Sequence, residues 1–114
     1  MREIKFRAWD KENKRMLMSG IYYSLDGRII WAGGGKFNGT LMQFTGLKDK
    51  NGKEIYEGDT VRATKERNYY SGIVRFIDGF FGLESDAGLR TLQWYHDFEL
   101  EIFGNIYEKP ELLK

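Results

Sequence analysis

Aspartate–glycine and asparagine–glycine pairs punctuate the chain at Asp26-Gly27, Asn51-Gly52 and Asp78-Gly79, each set among short alternating apolar and polar runs. Both residues of such a pair tolerate positive φ, which a two-residue hairpin turn requires. Helical periodicity is weak throughout, so the pattern predicts an all-β (mostly β) protein of short strands and tight turns. Ile4, Phe6 and Ala8 fall on one face of a first strand, with Lys5, Arg7 and Trp9 on the other. Residues 10–14 form a polar turn, and 15–18 return as the partner strand. Residues 21–25 and 28–32 form the next hairpin, followed by a glycine-rich stretch at 33–39 that is costly to order.

Leu41–Thr45 opens the second half as a strand, and Lys48–Lys53 forms a strong turn. In Ile55-Tyr56-Glu57-Gly58-Asp59-Thr60-Val61 the glycine permits a sharp change of direction, the aspartate caps the turn's amides, and Val61 enters the core. Strands are expected at 72–78 and 80–84, at Leu92-Gln93-Trp94, and from Phe98 to Phe103. Five strands from Val61 to about Ile106 match a small Src-homology-type barrel lobe, with an N-terminal β-hairpin lobe packed onto it. At 114 residues the chain has the size of one domain, 1–114, with lobes at 1–45 and 46–114. Pro110 ahead of Glu111-Leu112-Leu113 predicts one short C-terminal helical turn.

Hydrophobic residues make up 41% of the chain and aromatics 16%, enough to build a core without a metal or cross-link. With no cysteine, the chain has no disulfide, thiol nucleophile or cysteine-ligated zinc. Met1–Arg7 alternates charged and apolar residues and lacks a signal-peptide core. The longest apolar run, Ile29–Ala32, falls far short of the roughly 20 residues a membrane helix needs, so a soluble cytoplasmic protein is expected. A net charge of +1, from 18 basic and 17 acidic side chains, argues against general polyanion binding. Residues 1–15 are mostly basic and those from Asp97 onward mostly acidic, which predicts mutual attraction within the fold.

The chemical motifs fail on inspection. Gly33-Gly34-Gly35-Lys36 lacks the first glycine and the following Ser/Thr of a phosphate loop. Setting Gly52 as the sixth position of a calcium loop puts Leu47 first and Gly58 twelfth, where ligands are required. His96 is the only histidine and is expected to be structural. No serine sits in a nucleophile elbow, and nothing in the spacing of Glu57 and Asp59 separates them from ordinary turn acids. No catalytic, metal or cofactor site is therefore expected. Between barrel strands, 62–72 reads as a loop carrying Arg62, Lys65, Arg67, Tyr69 and Tyr70, cations for phosphates and rings for bases, with Glu66 opposing. Trp9, Tyr22, Tyr23 and Trp31 include candidates for a protein-binding patch, though core filling is the default reading of them. The leading expectation is a non-catalytic module that binds another protein. A nucleic-acid-binding barrel is the alternative and an enzyme a distant third. Edge strands leave homo-oligomerisation open.

Three blocks carry a family resemblance: Met1–Asp10 (MREIKFRAWD), Phe44–Asp59 (FTGLKDKNGKEIYEGD) and Gly104–Leu113 (GNIYEKPELL). Together they resemble the YopX family of phage and prophage proteins over the whole chain, departing at Lys109, where the family tends to have Asn. The resemblance implies a phage- or prophage-encoded cytoplasmic protein with an all-β fold and a barrel-like lobe. It supplies no catalytic residues.

Overall fold

A computed structural model describes residues 3–23, 29–31 and 39–108. The described strands are β1 (Phe6–Asp10), β2 (Arg15–Leu17), β3 (Ile21–Tyr23), β4 (Ile29–Trp31), β5 (Gly39–Lys48), β6 (Glu54–Tyr56), β7 (Asp59–Lys65), β8 (Asn68–Ile77), β9 (Phe80–Ser85), β10 (Gly88–Thr91) and β11 (Glu99–Asn105). They form one sheet in the order β2-β1-β5-β6, a second in the order β10-β9-β8-β7-β11, and the β3–β4 hairpin, with antiparallel pairing throughout. The fold is mostly β, and the five-stranded sheet curls into a half-barrel. The Asp26-Gly27 turn, residues 33–38 of the glycine-rich stretch and the expected C-terminal helical turn lie outside the described residues. β5 runs continuously across residue 45 and β6 pairs with it, so the first sheet extends to Tyr56.

The half-barrel core follows from the alternation of apolar side chains along its strands. Val61 and Ala63 of β7, Val74 of β8, and Phe81 and Leu83 of β9 are buried together with Ile55, Leu92 and Tyr95. Arg62 and Thr64, one residue out of phase, are exposed.

Leu92-Gln93-Trp94 is not a strand. Leu92–Tyr95 forms a 3-10 turn, capped where the Trp94 amide donates to Thr91 Oγ1 at 3.2 Å. Residues three apart eclipse in such a turn, so Leu92 and Tyr95 both reach the core; in a strand they would point to opposite faces.

Residues 49–59 join the two sheets. The Lys50 amide donates to the Leu100 carbonyl at 2.8 Å, and the Gly58 amide to the Val74 carbonyl at 2.9 Å. Gly58 has φ +85, the turn its neighbours predict, and the Tyr56 amide donates to Asp59 Oδ2 at 2.8 Å, the cap expected of that aspartate. The other oxygen of Asp59 accepts from Arg7 Nη2 at 2.7 Å, and both side chains are buried. This pair, 52 residues apart in sequence, ties β1 to the start of β7.

Candidate functional site

The expected 62–72 loop does not exist. β7 runs through Lys65 and β8 starts at Asn68, leaving a two-residue turn in which Glu66 takes φ +55. Charge masked the strand: Val61-Arg62-Ala63-Thr64-Lys65 keeps the period of two, with its alternate positions polar. The register pairs Ala63 with Tyr70 and Thr64 with Tyr69, so the two tyrosines lie on opposite faces.

The five residues therefore separate into two groups and a turn. On the outer face Tyr69 is 66% exposed and lies 5.7 Å from the Arg62 guanidinium. Arg62 also stands 5.9 Å from the ring of Phe103, the extra residue of a β11 irregularity between Ile102 and Gly104. Tyr70 is half-buried on the core face, within about 6 Å of Trp94, Tyr95 and Phe98. Lys65 stands 5.8 Å from the Phe98 ring and is held in an ion pair with Asp97 at 2.5 Å. Hydrogen bonding to that carboxylate raises the lysine's pKa and lowers the aspartate's. Arg67 is exposed in the turn.

The core-face group belongs to a larger constellation that the sequence did not single out. Trp94 is 45% exposed while packing against Tyr95 at 4.9 Å and Phe98 at 5.5 Å. The Arg90 guanidinium sits 4.1 Å from the Trp94 ring centre and 5.2 Å from that of Tyr70. Arg90 Nη1 is buried with no hydrogen-bond partner among the described residues. The 3-10 turn presents Trp94 because it sends Leu92 and Tyr95 inward. The result is an aromatic face flanked by Arg90 and by the Lys65–Asp97 pair.

Two clefts adjoin these elements. One, of about 400 Å³, lies beside the Arg7–Asp59 pair and is lined also by Lys53, Glu54, Phe103 and Asn105. Its carboxylates are engaged, Asp59 with Arg7, Glu54 with Lys5, and Glu108, also in the lining, accepting from Asn105 Nδ2 at 2.6 Å. Burial pushes the Asp59 carboxyl up, against the opposing pull of Arg7 and the Tyr56 amide. The other cleft, of about 440 Å³, lies between the β5–β6 turn and the 3-10 turn, with Leu47, Tyr95, Phe98 and Leu100 in its walls. His96, expected to be structural, is exposed on its rim. Glu57 and Asp59 do not form a dyad: Glu57 Oε1 accepts from the Gln43 amide at 2.9 Å.

Asp49 organises the β5–β6 turn. Burial alone would push its carboxyl up, but amides of Ile102, Lys53 and Asn51 donate to it at 2.9–3.0 Å and hold it below the ordinary 3.8. The unfolded chain then binds the proton more readily than the native one. The stabilisation is fully present above pH 3.8 and is lost as pH falls through the lower native value. Urea midpoints of the native chain and Asp49→Asn should differ by a constant amount from pH 5 to 7, and the gap should close below about pH 4. A gap that stays constant into acid would show that the charge of Asp49 contributes nothing.

The chain matches the YopX protein family over residues 5–114. It is 30% identical over 70 residues to the SPbeta prophage-derived uncharacterized protein YopX of Bacillus subtilis (strain 168), covering 55% of this chain and 52%, about half, of that relative. A crystal structure of protein EF1440 from Enterococcus faecalis superposes with a TM-score of 0.67 at 30% identity, covering 100% of both chains. That of YopX from Bacillus subtilis superposes with a TM-score of 0.68 at 22% identity, covering 100% of this chain and 98% of the other. Among the described residues no helix is long and apolar enough to cross a membrane. With the family matched from the first strand onward and the same fold seen in two solved structures, this chain belongs to the YopX family.

Proposed function

We propose that this chain is a phage-encoded accessory protein that acts without catalysis by binding a host or phage protein, and that it binds through the aromatic face around Trp94. The phage attribution rests on the prophage origin of the Bacillus relative. One observation carries the binding surface: Trp94 remains 45% exposed with Arg90 stacked 4.1 Å from its ring centre, although Tyr70, Tyr95 and Phe98 surround it. Tryptophan, tyrosine and arginine are the residues that dominate binding energy at protein interfaces, and a preorganised cluster of them loses little side-chain entropy on association. The nucleic-acid reading retains Arg62, Tyr69 and Arg67 as a smaller outer group, favoured by the exposure of Tyr69.

A photo-crosslinking benzophenone side chain at the exposed position 93, beside an intact Trp94, in cells producing the protein, distinguishes these readings. A discrete protein adduct from position 93, lost on Arg90→Ala and absent from the same probe at Phe76, is the expected result. Trp94→Ala should weaken binding of the isolated partner more than about tenfold, in the range of a central aromatic anchor. No adduct from position 93, or the same adducts from position 76, overturns the proposal. A nucleic-acid adduct from the exposed position 71, on the face of Tyr69, with none from position 93, would favour the outer group instead.

A further inference from the structure

β10 ends its sheet, with β9 on one side and no strand on the other among the described residues. Gly88, Leu89 and Thr91 are exposed along it. The two-residue turn at 86–87 makes Ser85 and Gly88 a hydrogen-bonded pair, and alternation makes Leu83 and Arg90 the next. The Arg90 carbonyl accordingly faces β9, where a Cβ added to Gly82 would meet it at 2.9 Å. Leu89, one residue earlier, therefore turns its N–H and C=O to the open edge, and Thr91 its N–H. None of these three groups has a hydrogen-bond partner among the described residues.

Arg90 is the one charged side chain of β10, and it lies on the aromatic face rather than on the side of Leu89. No carboxylate contacts it among the described residues; Glu84 and Asp97 are already paired with Arg75 and Lys65. Its Nη1 is sealed, but Nε and Nη2 are neither enclosed nor hydrogen-bonded to a described residue. An inward-pointing charge on an edge strand deters pairing with an apolar segment. It admits one complement, a strand that brings a carboxylate to the same face.

We propose that the partner adds an extended acidic segment to β10 as a sixth strand, placing an aspartate or glutamate carboxylate against Nε and Nη2 of Arg90. The inference rests on the reading of the Trp94 face as a protein-binding surface, and it names the chemistry that face selects. Antiparallel alignment is the pairing of every strand in this fold. In it the residue opposite Arg90 stands in a non-hydrogen-bonded pair, where side chains approach most closely. Its two neighbours bond through their backbones to Leu89 and Thr91, and apolar side chains there would cover Leu89, which is 38% exposed.

The test titrates the capped peptide TTVEVTT into the full chain and follows amide and indole ¹H–¹⁵N shifts. Saturable shifts at residues 88–91 and at the Trp94 indole are expected. Glutamine at the peptide's centre should weaken binding up to about fivefold, and lysine should abolish it. Methylating both valine nitrogens, which face β10, should also abolish binding, whereas methylating the glutamate nitrogen, which faces away, should change it less than about twofold. These changes are all in the probe, so the fold is not at risk. In Arg90→Ala the glutamate and glutamine peptides should bind equally. No binding by any peptide, equal binding of those two to the native chain, a preference that persists in Arg90→Ala, or binding that survives valine methylation would each overturn the strand addition. Shifts at the Trp94 indole that leave 88–91 unmoved would overturn it too while the Trp94 face stands as a binding surface, a reading that the adduct from position 93 tests separately.

Discussion

Asp59→Ala is expected to lower the unfolding free energy by about 3–5 kcal/mol, the usual cost of removing one member of a buried ion pair. The change strands two groups at once. Arg7, 8% exposed, loses its carboxylate partner while its Nε already lacks one among the described residues. The Tyr56 amide loses its acceptor at the turn that starts β7. What remains to Arg7 is the Glu57 carbonyl at 3.3 Å and the ring of Tyr56 at 4.7 Å, too little to hold a desolvated guanidinium. Since domains of this size are stable by roughly 5–15 kcal/mol, the variant should sit near the edge of folding. The urea midpoint, with the slope unchanged, is the measurement.

The same pair makes a second, sharper comparison. Burial pushes the Asp59 carboxyl up against the pull of Arg7 and the amide, so desolvation opposes the pair's attraction. Arg7→Met combined with Asp59→Asn removes both charges and keeps an oxygen for the Tyr56 amide. It should be several kcal/mol more stable than Asp59→Ala. Losses that merely add across the two sites, within about 0.5 kcal/mol, would show that the pair is not coupled.

The sequence marked one partner of this pair and not the other. Asp59 was legible because a glycine precedes it at a turn that needs a cap, a relation spanning only three residues. Arg7 alternates with apolar neighbours and so was assigned to a polar face. It is buried because β1 lies inside its sheet, between β2 and β5, with the start of β7 packed over it. No local pattern encodes a partner 52 residues away. The tyrosine pair is the converse case. Parity alone separates Tyr69 from Tyr70, but the charges at 62, 65, 66 and 67 suggested a loop, where parity has no meaning. The aromatic face escaped notice because Leu92-x-x-Tyr95 fits the end of a strand as well as a 3-10 turn. Only the turn exposes Trp94. Strands were readable where a glycine marks the turn, as at Asn51-Gly52 and Asp78-Gly79, whereas the β7–β8 turn, Glu66-Arg67, carries none.

Gly72→Ala should be among the most disruptive single-methyl additions in the molecule, at or above the upper end of the roughly 1–3 kcal/mol that overpacking costs. Gly72 lies in β8 between Val61 of β7 and Ser85 of β9, and its backbone is not left-handed, so conformational strain is not the issue. A Cβ there would meet the Glu84 carbonyl oxygen at 2.2 Å and its carbon at 2.7 Å. Both atoms are backbone, so no side chain can rotate away, and β8 and β9 must part at the bend of the half-barrel. Gly52→Ala supplies the contrast. Gly52 has φ +82 with nothing within 4 Å of an added Cβ, so its penalty is the left-handed backbone alone, about 1–2 kcal/mol. The expected order in urea midpoint is native, then Gly52→Ala, then Gly72→Ala. Equal losses would mean that β8 and β9 shift apart at little cost and that the curl is not fixed by close packing at this point. The order matters for function because Tyr70, two residues from Gly72 on the same face, is where the aromatic cluster meets the sheet. A sheet that opens at Gly72 moves Tyr70 away from Trp94, so partner binding should fall in Gly72→Ala even under conditions where the chain stays folded, and should be unchanged in Gly52→Ala.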